Sequence, residues 1–131
     1  MYSNLPLLLH GIIVGFILFQ TVLLTPIVFK VLKSSAVSVL LRSIFPKFFI
    51  SIFFISFFIF VFVFFQKTVY SDYYAIIITI CLSGLCYFLI PHTNSARDDG
   101  NSSLFSFYHN ISVVSTLLML VINISVFFLI L

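Results

Sequence analysis

The side chains with chemistry to offer are His10, His92 and His109, the amides Gln20 and Asn123, and the thiols Cys81 and Cys86. An imidazole can ligate haem iron or a metal ion, or carry a proton. His10 and His109 sit near opposite ends of their apolar stretches, so they are not expected to share one metal or one haem. His92 and His109 fall near the same boundary, where they could form an axial pair or half of a metal site. The plainer alternative for each is a hydrogen bond to a backbone carbonyl or a hydroxyl. Gln20 and Asn123 lie deeper, where an amide surrounded by lipid usually bonds a neighbouring helix. Pro26, in TPIVFK, either kinks a helix and frees a carbonyl or simply marks a helix end. The two cysteines are five residues apart, about 140° around a helix, so they face different ways and make no CxxC pair.

What must position these residues is a set of four apolar stretches, at 5–29, 47–65, 73–91 and 105–131, which fill most of the 131 residues. Each is long enough for a hydrocarbon layer that takes about 20 residues to cross. Hydrophobic residues make up 63% of the chain and charged ones only 7%, far fewer charges than a soluble domain carries. In lipid the backbone must satisfy itself, which leaves helices or a closed barrel. A barrel strand would alternate apolar and polar residues. The run FFISIFFISFFIFVFVFF does not. The expectation is therefore an all-α integral membrane four-helix bundle, one domain over residues 1–131. The opening MYSNLPLLLHGIIVGF has no basic segment before its apolar run and reads as the first permanent span, not a secretory signal.

The connections carry the charge. Lys30, Lys33, Arg42 and Lys47 lie between spans one and two and Arg97 between spans three and four, leaving only Lys67 on the opposite side. The positive-inside rule then makes the first and third connections cytoplasmic and puts both termini outside. This basic balance reports topology and gives no reason to invoke nucleic acid. In SSAVSVLLRSIF, Val37, Leu40, Leu41 and Ile44 follow helical spacing, which predicts a short interfacial helix between spans one and two. Pro46 suits the start of the second span. Tyr70, Tyr73 and Tyr74 are placed for an interfacial belt, and HTNSARDDGNSS reads as a flexible loop.

At 100° per residue, span four lines up His109, Ser112, Thr116 and Asn123, span three Ala75, Thr79, Ser83 and Cys86, and span one His10, Val14, Thr21 and Thr25. These faces are expected to point inward. Gly11 and Gly15 form a GxxxG, a packing notch or a dimer seam. No Asp or Glu falls within any of the four stretches, which argues against a proton-coupled multidrug exporter. A P-loop, HExxH and GxSxG are all absent, and no base neighbours a serine, so spacing gives no case for an enzyme.

LLHGIIVGFILFQTVLLTPIVFKVL, with His10, Gly15, Pro26 and Phe29, resembles the opening of the transmembrane protein 205-like family, also called domain of unknown function 4149. FPKFF at Phe45, Pro46 and Phe49 resembles the way that family begins its second span. Pro91 and FYHNISVVSTLLML, with His109 and Ser112, resemble its third-span exit and fourth span. Two features depart from the pattern: there is no Trp, and the third connection is less basic than the family's. The resemblance implies a four-helix membrane protein with no settled activity. The expectation is a non-enzymatic protein of a bacterial inner membrane that acts through a small ligand or a membrane partner, in contact with membrane lipid and able to meet a second copy of itself. A looser similarity to the copper-resistance D-like four-helix group makes haem or metal binding one alternative; a small oligomeric transporter is another. On this reading the ligand-binding or structural polar candidates are His10, Gln20, Pro26, His109, Ser112 and Asn123, with His92 and His109 as metal candidates.

Overall fold

The computed structural model describes residues 4–67 and 70–130. Span one is α1 (Leu5–Leu18), a π-helical stretch (Phe19–Leu24) and α2 (Thr25–Val31). Span two is α3 (Ser34–Gln66), span three α4 (Tyr70–Asp98) and span four α5 (Ser102–Ile130). Among the described residues these are four helical spans long and apolar enough to cross a membrane.

Each span is antiparallel to the next, and side-chain contacts fix their registers. Phe16 of α1 meets Phe48 of α3 with ring centroids 5.1 Å apart. Tyr73 of α4 donates to the Val63 carbonyl of α3 over 3.2 Å. α1 packs on α3 and α5, α3 on α4, and α4 on α5, which closes a four-membered ring of helices. The core between them holds Ile13 and Ile17, Phe48, Ile52, Ile59 and Val63, Ile76, and Met119. The outward face of α3 instead exposes Phe54, Phe57, Phe58, Phe64 and Phe65, as lipid-facing aromatics should be.

The π-helical stretch follows from Pro26. Its ring nitrogen cannot donate to the Val22 carbonyl one turn back. The backbone widens instead, and both the N–H and the hydroxyl of Thr25 reach the Gln20 carbonyl, the hydroxyl at 2.8 Å. The wider turn rotates everything after it. Thr25, just past it, is only half-buried, and Thr21, within it, is exposed, against the inward stripe expected with His10. After the turn, α2 packs on α3 and on the π-helical stretch but not on α5.

Three boundaries differ from the sequence expectation. The interfacial helix is not a separate element: residues 34–46 are the first turns of α3, which runs on through Pro46. Val37 and Leu41 are buried there against Val28, so packing on α2 outweighs the one hydrogen bond that proline removes. At about 50 Å, α3 exceeds a hydrocarbon layer of about 30 Å, and its first turns reach the headgroup region. Likewise α4 does not stop at Pro91 but continues to Asp98, because a membrane helix tolerates a proline that its neighbours hold in place. The third connection is thus no flexible loop. Gly100, with φ +71°, ends α4. Asn101 N–H bonds the Ala96 carbonyl (3.0 Å) and Gly100 N–H the Arg97 carbonyl (3.2 Å), the Schellman arrangement. Asn101 then caps α5 through Oδ1, which accepts from Leu104 N–H over 3.0 Å. Arg42 of α3 grips both Asp98 carboxylate oxygens at this end, and the guanidinium holds that carboxyl, which lies beyond the apolar stretches, below the usual carboxylate range. In the second connection Thr68 and Val69 lie outside the described residues, as does the Tyr70 side chain placed in the aromatic belt.

Candidate functional site: a polar layer inside the bundle

One level of the bundle receives a buried polar side chain from every span. These are His10 of α1, Ser56 of α3, Thr79 of α4 and Asn123 of α5, each no more than 1% exposed. The registers bring them together. His10 and Thr79 both bond Asn123, and the Phe16–Phe48 pairing sets His10 opposite residue 54 of α3, one short step from Ser56. The layer lies in the half of the bundle nearer the termini.

The hydrogen bonds fix the state of each member. Asn123 Nδ2 is 2.7 Å from the Met119 carbonyl. A carbonyl only accepts, so this atom of the amide must be its nitrogen. The same NH₂ group donates to Thr79 Oγ1 at 2.9 Å, and the Thr79 hydroxyl donates to the Ala75 carbonyl at 2.7 Å. Asn123 Oδ1 is left facing His10 Nδ1 at 2.7 Å. An amide oxygen cannot donate, so Nδ1 carries the hydrogen. In neutral His10 the other ring nitrogen, Nε2, is then a bare acceptor. Among the described residues Nε2, fully buried, finds no hydrogen-bond partner, and the same holds for Ser56 Oγ.

Asp72 lies two turns from Thr79 on the same face of α4. It is 4% exposed. The expectation that no acidic residue enters a span is corrected here. α4 begins at Tyr70, so Asp72 occupies its first turn, where a carboxylate also suits the positive end of the helix dipole.

The remaining sequence candidates are dispersed. Gln20 is buried, and its Nε2 donates to Thr25 Oγ1 at 3.3 Å; it braces the π-helical stretch instead of another helix. Pro26 creates that stretch and is exposed. Ser112 is half-buried, and its carbonyl takes the Thr116 hydroxyl at 2.8 Å and the Cys86 thiol at 3.9 Å. His109 does not face the interior. It is exposed and stacks on Phe105, ring centroids 5.6 Å apart, because α2 has left α5 at that end and nothing covers the stripe there. His92 is exposed too, resting on Tyr108 with centroids 5.9 Å apart. Among the described residues no group of three or more His, Cys, Asp or Glu side chains gathers to hold a metal ion. Cys81 is exposed and Cys86 buried, facing apart as their spacing predicts.

Sequence reasoning took His10 and Asn123 as separate candidates and missed Ser56 and Asp72 as their neighbours. Ser56 carried a signal, since it shares a helical face with Ile52, Ile59 and Val63. Asp72 carried one in its seven-residue spacing from Thr79.

An antiparallel bundle of four apolar spans closed around a buried polar layer defines an integral membrane helical-bundle protein. The family model for a domain of unknown function, DUF4149, matches residues 8–102, and the chain belongs to that family. The match takes in His10, Ser56, Asp72 and Thr79; Asn123 lies beyond it. No curated protein and no solved structure matches the chain.

Proposed function

We propose that this is a non-enzymatic component of a bacterial inner membrane that works through a small ligand or a membrane partner, with the layer around His10 as its point of action. The transmembrane protein 205-like naming belongs to the same proposal. One observation carries it: a histidine wholly inside an apolar bundle, with one nitrogen tied to Asn123 and the other without a partner among the described residues. A bundle needing only adhesion could use hydroxyls and amides, which hold helices together without an ionisable ring. An ionisable group within a span is costly to bury and is a functional candidate by default.

Two experiments test this reading. Protein purified in mild detergent is expected to show no Soret band and no stoichiometric metal; either one, lost on His10→Ala, would replace the reading with haem or metal binding. The orientation proposed has both termini outside, because five of the six Lys and Arg residues lie at the other end of the bundle. Alkaline phosphatase fused after Leu131 should be active and a fusion at Asn101 inactive. The reverse pattern would invert the topology.

A further inference from the structure

We propose that the layer is a proton-binding site, in which Nε2 of His10 takes up the proton and the carboxylate of Asp72 balances its charge. The proposal rests on the layer being the point of action and names the ligand there.

The hydrogen-bond directions fix where a proton can go. Because Met119 and Ala75 offer carbonyls, the chain of donors runs from His10 Nδ1 to Asn123 and from Asn123 to Thr79 and Met119. Nδ1 therefore cannot release its hydrogen without breaking the layer, and a proton reaching the ring must go to Nε2. A bare buried acceptor calls for a donor. Among the described residues no donor reaches Nε2. Ser56 stands at the same level with an unpartnered hydroxyl. A hydroxyl donates and accepts alike, so it can serve neutral or protonated His10, directly or through one water.

The charge balance points the same way. A buried imidazolium is costly unless an anion stands near it. Among the described residues the charged and titratable groups around His10 are few. Span two carries none from Phe53 to Ile59, and span four none from Met119 to Phe127. On span three, Tyr74 and Cys81 are exposed and Tyr73 is engaged with the Val63 carbonyl. That leaves Asp72, which is buried on the same face of α4 as Thr79, two turns before it. It lies about 10 Å nearer the terminal end than Thr79, between the layer and the water at that surface. The step balances simply: a hydronium ion outside gives up its proton, one N–H bond forms at Nε2, and water is released.

The test is ¹⁵N NMR of the full chain, labelled at histidine and held in lipid nanodiscs, over about pH 4 to 9. The chain has three histidines, and His92→Gln and His109→Gln assign the two exposed ones. The expected result is that His10 passes from one protonated nitrogen to two, with Nδ1–H kept throughout. Asp72→Asn should weaken that proton binding about tenfold or more while leaving His92 and His109 unchanged. Ser56→Ala, which should fold whether or not Asp72→Asn does, should also change the proton affinity of His10 alone. A ring that keeps one proton across the range, or one that ignores both substitutions, overturns the proposal. This outcome is separate from the fate of the proposed function. Haem or metal on His10 would sink that reading, whereas an apo protein whose His10 never protonates would sink only the proton site.

Discussion

At the residue scale, Asn123 is the link on which the layer depends. It alone touches three partners, on α1, on α4 and on its own helix. Asn123→Ala strips the His10 Nδ1–H of its acceptor, and removing one partner of a buried bond costs more than the bond itself contributes. The expected loss is about 1–3 kcal/mol, read from unfolding in mixed detergent micelles; a loss within error of zero would mean that the bond is not formed. His10 and Asn123 were legible as isolated polar residues in apolar sequence. Their pairing was not, because 113 residues separate them and only the registers of α1 and α5 bring them level. His109 shows the opposite error. Helical periodicity put it on the Asn123 stripe correctly, but periodicity cannot say where along a helix the neighbour departs.

At the element scale, local chemistry set the boundaries wherever packing did not override it. Gly100 is the clearest instance. Its φ of +71° lies in the left-handed region, and nothing stands near the position a Cβ would take. Gly100→Ala should therefore cost about 1 kcal/mol through the backbone alone, while Gly15→Ala, also in open space but helical, should cost nothing or slightly stabilise. Equal effects of the two, in the same unfolding assay, would mean that the tight α4–α5 turn does not form. The D-G-N run was readable as a helix stop and a new cap, yet its polar composition made it look like a loop. Pro46 and Pro91 misled in the other direction. Each was a reasonable helix end, and in both cases tertiary contacts carried the helix past it. The GxxxG of span one is divided: Gly11 admits the Phe127 ring, whose ζ carbon is 3.4 Å from a Cβ built there, while Gly15 faces open space.

At the scale of the whole molecule, the four-span architecture was legible because lipid leaves so few alternatives: stretches this long and this apolar must be helices. The polar interior was only half legible. Inward stripes on spans three and four were read from small and polar residues, but the level at which all the spans converge depends on registers that composition does not encode. The fold of the polar layer rests on that convergence, with His10 bonded across the bundle to Asn123. A double-mutant cycle with His10→Ala and Asn123→Ala, followed by reversible unfolding in micelles, tests it most directly. The expected coupling between the two positions is about 0.6–2 kcal/mol. Strictly additive losses would contradict it, since they would mean that the two side chains do not meet in the folded protein.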